Sequence, residues 1–585
     1  MKDNKIKLYA SHIRPVEEKT ELLIQIRIDN SLGFISEFYF HEYQKNDPNV
    51  KHVKLEYFKQ QNNCSYFKMK TVLEEIAVHY YYFSMQANGR NMYICKDGKG
   101  NLYLAPENAM NWRITVYKQN FKTPNWAKGA VMYHCFADRF CRNKSVIIKP
   151  KKGRKIHEDW DELPEWQPNE NGEYLNNDFF GGNLKGIASK LNYLKSLGVT
   201  ILYLSPCMQS QSNHRYDTAD YENVDEYLGT NEDLKDLCLK AQRKGINIII
   251  DGVYDHTGND SRYFNEYGNY NEVGAFQGKD SPYYDWYKKY NGKFVYWWGF
   301  NTLPVCNLEN KEYQMYIYGE KGIIIFLISL GIKGIRFDVA DELTDGFIYN
   351  CCETAKNVES NFFTIGEIWD NGILKEKDFK QRKYLLGNGF DSIMNYQWTE
   401  AVLKYVRFGD YNILVNKINE ILHDYPKEVV DCLMNSLSTH DITRAITTLV
   451  GPGIEKDKYE WVWDIGNKDR KWQFENDKLP SKLYKEGRKK FQVAFAILTF
   501  LPGIISVFYG DEVGLTGYKD PFNRKPFPWS HKDKKLLRFV RAILKIKCKL
   551  KFLKEADYNT LVATEKVFIF ERKDLENRII IQVNN

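Results

Sequence analysis

From about residue 129 the chain repeats one pairing: an amphipathic stretch hands over to a short apolar run. The first run is AVMYHCF. Next, LKGIASKLNYLKSLG leads to VTILYLSP and NEDLKDLCLKAQRKG leads to INIIIDGVYDH, and ISLGIKGIRFDVA, NFFTIGEIW and CLMNSLSTHD follow. Nearly continuous apolar runs separated by helical patterns belong to parallel strands covered on both faces. Their number and spacing predict an α/β chain built on a (β/α)8 barrel over residues 123–530. In such a barrel the C-terminal ends of all strands meet at one rim, which is where chemistry is placed.

The flanking sequence has other rhythms. Residues 1–122 hold short alternating runs such as ELLIQIRI, VKLEYFK and WRITVYK between Asn, Gly and Asp clusters, which predicts an N-terminal β-sandwich. FKTPNWAKGAV reads as the linker. The aromatic and Gly-rich stretch at about 257–306 lacks the barrel rhythm and is assigned as an insertion after a strand, the kind of excursion that carries function. After RKPFPW, a basic helical pattern precedes two strand-like runs, KVFIFER and RIIIQVNN, so 531–585 is read as a short C-terminal β-domain.

Composition narrows the function. The 83 basic and 76 acidic side chains leave a net charge of only +7, with no basic tract to follow a phosphate backbone, so nucleic acid is not an expected partner. No membrane is expected either. VAFAILTFLPGIISVFYG at 493–510 is broken by Pro502-Gly503 and followed by Asp511-Glu512, which suits a buried helix, turn and strand. The N-terminus lacks an apolar secretory core, and the eleven Cys, scattered singly or as Cys351–Cys352, lack zinc spacing or disulfide-scaffold density. A cytoplasmic protein with reduced, buried thiols is the expectation. Aromatic residues make up 15% of the chain, and their flat, partly polar faces suit carbohydrate as well as core.

Four strand-like runs end in acids: Asp251, Asp338, Glu367 and Asp441, with His256, His440 and Arg336 close to them in sequence. Arg336 and Asp338 are two apart in an extended run and share a face, which makes either a buried ion pair or a prepared reactive carboxylate. Convergence of all four acids on one rim favours chemistry over salt-bridging. A metal site on the same acids is the rival reading. The lack of HxH or HExxH spacing and the Arg beside the central Asp weigh against it.

DGVYDH (251–256), GIRFD (334–338), GEIW (366–369) and THD (439–441), in that order, resemble the four signature regions of the α-amylase superfamily of retaining glycoside hydrolases. VMYHCFADRF, SNHRYDTADY, WWGFNTLPVCNL and DPFNRKPFPW extend the likeness across about 120–530, and LPVCN resembles the fifth region of the neopullulanase, cyclomaltodextrinase and maltogenic amylase group. That resemblance implies a TIM barrel behind a carbohydrate-binding-module-like sandwich, acting on maltooligosaccharides, cyclodextrins and pullulan. Asp338 would be the nucleophile, Glu367 the acid/base, and Asp441 the holder of sugar hydroxyls. Arg336 would keep Asp338 ionised, and Glu367 has the reverse requirement, to carry a proton. Tyr216, His256 and His440 would contact the sugar at the cleavage point, Asp251 would brace the site, and Trp369 would lie on the leaving-group side. Asp520 and Arg524 would grip the next sugars on the non-reducing side. The group's layout also implies a homodimer through the N-terminal domain.

Departures from the pattern carry their own expectations. Arg142, Lys144 and Asn183 stand where many relatives have calcium ligands, so no calcium or other cofactor is expected, with Lys144 filling the vacancy. Asp255 replaces an Asn and VADE (339–342) replaces VANE, which leaves the preference between α-1,4 and α-1,6 bonds open. The chain stops at IIIQVNN where relatives continue, so the terminal module is expected to be truncated, with unpaired edges. A glucanotransferase, and a noncatalytic glycan-binding protein that kept the fold, are the alternatives to hydrolysis.

Overall fold

The computed structural model describes residues 5–98, 100–454 and 468–585. Eight parallel strands run Val131–Cys135, Ile201–Leu204, Asn247–Gly252, Gly334–Phe337, Phe363–Gly366, Ser392–Ile393, Met434–Ser436 and Ile504–Phe508. The first six pair in succession, the seventh pairs with the eighth, and the eighth returns to the first through Val131↔Ile505. A single parallel bridge, Met394↔Met434, joins the sixth to the seventh. Every residue of the first, second, fourth and fifth strands is buried. Helices outside and side chains inside cover both faces, which is why these runs are apolar throughout instead of alternating.

The register positions the site. Asp251 lies opposite Arg336, and Arg336 opposite Ile365 two residues before Glu367, so the third, fourth and fifth strands end together. Residues 257–306 form short turns and a two-residue hairpin, Lys289–Tyr290 with Lys293–Phe294, in place of regular structure. Ring contacts such as Tyr263–Trp286 at 5.6 Å and Phe264–Phe294 at 4.9 Å pack it, the bridge Tyr287↔Cys306 closes it on itself, and the bridge His256↔Val305 ties it to the segment that follows the third strand.

The chain divides into two compact units, one of Met1–Lys122, Asn371–Gly389 and Asn419–Val430, the other of Thr123–Asp370, Phe390–Ile418 and Asp431–Asn585. In the first, two mainly antiparallel sheets face each other. Strand Thr20–Asp29 alternates, burying Leu22, Ile24, Ile26 and Ile28 against Phe38, Phe40, Phe83 and Val116 of the other sheet. In the second, the run 493–510 is split between helix Ser481–Phe500 and strand Ile504–Phe508. No helix among the described residues is long and apolar enough to cross a membrane. All eleven cysteines are unpaired, and ten are buried. The terminal sheet has three strands, Asp557–Ala563, Val567–Lys573 and Arg578–Asn584, one more than the sequence pattern suggested. The extra strand, DYNTLVA, exposes several of its side chains and therefore reads as polar.

Candidate active site

Arg336 sits on the fourth strand with no exposed surface, and its guanidinium reaches three carboxyls. Nη1 lies 2.6 Å from Asp251 Oδ1 and 2.6 Å from Asp338 Oδ1, and Nη2 lies 2.9 Å from Glu367 Oε2. Nη1 thus holds Asp251 and Asp338 by hydrogen bonds, while Nη2 faces Glu367 at ion-pair distance without a hydrogen bond, so one guanidinium serves acids from the third, fourth and fifth strands. Asp338 and Glu367 keep only 6% and 8% of their surface, enough to meet a ligand at the rim but too little for water to screen them.

Each carboxyl has one oxygen committed. Asp338 Oδ1 is taken by Arg336, and Oδ2 is not engaged in that bond. Glu367 Oε2 accepts from the Val339 amide at 2.8 Å and pairs with Arg336, while Oε1 accepts only the Trp369 indole N–H at 3.2 Å. Val339 has φ 38°, a strained value for a β-branched residue, and this turn aims its amide at Glu367. Trp369 is fixed in turn by stacking on Tyr396 at 3.6 Å.

Asp251 Oδ2 accepts from Tyr203 and Tyr216 at 2.6 and 2.8 Å. Tyr216 also shares a short hydrogen bond with His440 Nε2 and lies parallel to its ring. His440 Nε2 is 3.2 Å from Asp441 Oδ1, and Tyr396 donates to Asp441 Oδ2 at 3.3 Å. Asp520 pairs with Arg524 at 3.1 Å and Arg470 at 3.3 Å, and Arg524 Nε donates to the His440 carbonyl at 3.0 Å. His256 is 2% exposed, and neither ring nitrogen has a hydrogen-bond partner among the described residues. The nearest acid, Asp255 Oδ2, is 3.7 Å away and also unpartnered. Buried polar atoms left this way favour a polar ligand.

The electrostatics add to the sequence expectation at one point. The Arg336 charge and hydrogen bond pull the Asp338 carboxyl down, as the sequence suggested, while burial and the neighbouring Glu367 and Asp251 charges push it up, and the upward push is the larger. A single guanidinium divided among three acids cannot offset burial and mutual repulsion for all of them. Burial also raises Asp251, and burial with Glu367 raises Asp441 to about 7. Burial, with His134 and Arg524 nearby, drives His440 well below its ordinary range, so it is a neutral ring.

Several contributors were missed from sequence. Tyr203, in ILYLSP, looked like a strand filler. Trp297 and Trp298 were quoted only for the resemblance, but both indole N–H groups donate to Glu342 Oε1, at 3.1 and 2.9 Å. Trp297 lies 5.3 Å from the His256 ring and 5.4 Å from Trp298, so a line of rings runs from buried His256 out to Trp298, which is 79% exposed. The doubled Trp in a polar loop was the available signal.

In the loop where the family resemblance would place calcium ligands, Arg142 donates to the carbonyls of Phe180 at 2.6 Å, His157 at 2.6 Å and Glu158 at 3.2 Å. Asn183 Nδ2 donates to Asn143 O and Gly181 O at 3.0 and 3.1 Å, and its Oδ1 caps the helix Leu184–Ser189. Lys144 is exposed, so the cation placed among these carbonyls is Arg142 and not Lys144. No group of three or more His, Cys, Asp or Glu among the described residues is arranged to hold a metal.

Fold and site together define a (β/α)8-barrel protein with a carboxylate-centred site at the strands' C-terminal rim. The alpha-amylase catalytic domain model matches residues 116–462, and the chain belongs to that family of glycoside hydrolases. It is 33% identical over 564 residues to an amylopullulanase of Thermoanaerobacterium saccharolyticum, covering 88% of this chain and 42% of that one. It is 28% identical to a cyclomaltodextrinase of Geobacillus thermopakistaniensis over 79% of this chain and 70% of the other. A type III pullulan hydrolase structure from Thermococcus kodakarensis superposes with a TM-score of 0.66 over 99% of this chain and 94% of that one. At 23% identity that likeness is one of fold. The chain spans about two-fifths or less of the length of the amylopullulanases it matches.

Proposed function

We propose that the chain hydrolyses α-1,4-glucosidic bonds in maltooligosaccharides, cyclodextrins and pullulan with retention of configuration. The observation that carries this is the Arg336 fork. It holds Asp338 by a hydrogen bond and faces Glu367 at 2.9 Å, with Asp338 Oδ2 unengaged and Glu367 Oε1 engaged by the Trp369 indole N–H alone. Asp338, in the ionised form that the Arg336 charge favours, attacks the anomeric carbon through Oδ2. As that C–O bond forms, the glycosidic C–O bond breaks and the leaving oxygen takes a proton from Glu367 Oε1, the oxygen not held by Val339 and Arg336. A water then gives its proton to Glu367 and adds to the anomeric carbon, which releases Asp338. Asp441 binds hydroxyls of the distorted ring, His256 uses its two unpartnered nitrogens on the same sugar, and the Trp297–Trp298 rings carry further sugars outward.

Product analysis on β-cyclodextrin, pullulan and starch tests this, with Asp338→Asn as control. Panose from pullulan means α-1,4 cleavage and maltotriose means α-1,6. Undiminished turnover by the Asn variant would overturn the mechanism. The names of the amylopullulanase and cyclomaltodextrinase relatives support the substrate class. The same proposal includes an Arg142-filled loop that needs no calcium, a reducing compartment suited to eleven unpaired thiols, and a homodimer through the sandwich.

A further inference from the structure

A second concavity, of about 700 Å³, lies between the start of helix Ser481–Phe500 and the two feet of the loop that carries Asp520 and Arg524. Val513–Thr516 form one foot, and Pro528 with 531–535 forms the other. The feet are stitched by the Asp533 amide, which donates to the Val513 carbonyl at 3.1 Å.

The lining is strongly cationic: Lys485, Arg488, His531, Lys532, Lys534 and Lys535 against one acid, Asp533. That acid is already committed. Its Oδ2 accepts from Tyr484 at 3.0 Å and Arg488 at 3.1 Å, and its Oδ1 caps the amides of Lys535 and Leu536 at 2.9 and 3.0 Å. Lys485, Lys532, Lys534 and Lys535 have no ion pair among the described residues, although charged pairs are common elsewhere on the chain. Lys532 is further crowded: it lies 5.0 Å above the Trp529 ring, and burial together with Lys190, Arg541 and Lys534 disfavours its charge. Like charges gathered round a hollow without counter-charge cost stability, and an anion seated there relieves the cost. The hollow is open to solvent and most of its lysines are exposed, so it suits a small anion held by charge, and the charge matches a phosphate group.

We propose that this cavity binds a phosphate-bearing ligand, free phosphate or a phosphorylated sugar, and that its occupancy stiffens the loop carrying Asp520 and Arg524. The site goes beyond the glucan cleft, and its binding does not depend on the hydrolytic reading. Occupancy braces both feet at once, so it bears on how firmly Asp520 and Arg524 meet sugar.

The experiment titrates the full chain with inorganic phosphate, glucose 1-phosphate and, at matched ionic strength, sodium chloride, following heat of binding and Tm. Phosphate or its ester is expected to raise Tm by about 3 °C while chloride does not, and the KM for maltooligosaccharides is expected to fall about threefold. Tighter binding of the ester identifies a phosphorylated sugar; equal binding identifies phosphate itself. The double variant Lys532→Glu, Lys535→Glu should lose the response. The milder Lys532→Gln, Lys535→Gln, at partly or fully exposed positions, serves if charge reversal disturbs folding. A response no larger than chloride gives, or one that persists in both variants, removes the proposal. A chain that binds phosphate yet hydrolyses no glucan would leave this site standing and only the hydrolytic reading lost.

Discussion

Arg336 Nη1 is 2.6 Å from Asp251 Oδ1 and equally close to Asp338 Oδ1, while Nη2 of the same side chain is 2.9 Å from Glu367. A planar fork is needed to serve three acids from three strands, and a lysine offers only a point charge. Arg336→Lys is therefore expected to lower kcat on the order of a hundred- to a thousand-fold, with KM changing far less, because aim and charge at the reacting carboxyls are lost and not sugar binding. Steady-state kinetics on β-cyclodextrin checks this, with a melting curve to show that the barrel persists. A Lys variant within tenfold of the parent would mean that the fork is only a structural tie.

Asp441 offers a test by pH. Its carboxyl is pushed up to about 7 by burial and by Glu367, against an ordinary value of 3.8 in the unfolded chain. Below 3.8 both states hold the proton and nothing is lost. Between 3.8 and 7 the folded state keeps the proton that the unfolded state gives up, so stability falls as pH rises, and the loss is complete above 7. Asp441→Asn cannot ionise. It should be more stable than the parent by about 4 kcal/mol at pH 8 and little different near pH 4, while activity is lost. Denaturant midpoints at the two pH values read this, and an equal difference at both would show that ionisation is not the cause.

The barrel was legible because its strands are covered on both faces, so runs such as ILYL and GIRF are unbroken by solvent-facing residues. Asp251, Asp338 and Glu367 were legible for a related reason: an acid ending an apolar run needs a partner, and strand ends share a rim. Relations made by closure were not legible. Tyr203 and Asp251 are 48 residues apart, and nothing local links them before the second and third strands pair. The upward push on the Asp338 carboxyl was not legible for the same reason, since the sequence places Arg336 two residues away but does not show that Arg336 is shared or that Glu367 and Asp251 come close. Lys144 and Arg142 were both visible as misplaced cations, and only the fold shows which of them turns inward.

Trp298 should separate binding from chemistry. It is 79% exposed, it stacks on Trp297 at 5.4 Å, and Glu342 holds its indole N–H, so the ring is displayed without supporting the core. Trp298→Ala is expected to leave stability within about 0.5 kcal/mol of the parent. Loss of a stacking face should raise KM for starch and long maltooligosaccharides about tenfold, with little change for the shortest substrate that is cleaved. Equal effects on short and long substrates, or none on either, would remove the ring line from the substrate path.

The Arg142 loop can be tested through stability alone. Its guanidinium donates to three backbone carbonyls, and Asn183 occupies two more, so the oxygens that a calcium ion would need are already paired. A fixed positive charge among them also repels a divalent ion. Thorough chelation should therefore leave both Tm and turnover unchanged. Arg142→Ala strands three carbonyl groups and should cost about 3 kcal/mol, read as a lowered denaturant midpoint. Added calcium discriminates between the two readings of that variant. If the loop merely lost a cation that any ion can replace, millimolar calcium restores the midpoint. If the fork-shaped donor set is what the carbonyls require, calcium does not restore it, and the second outcome is expected because Asn183 Nδ2 still points into the oxygens on which an ion would have to sit.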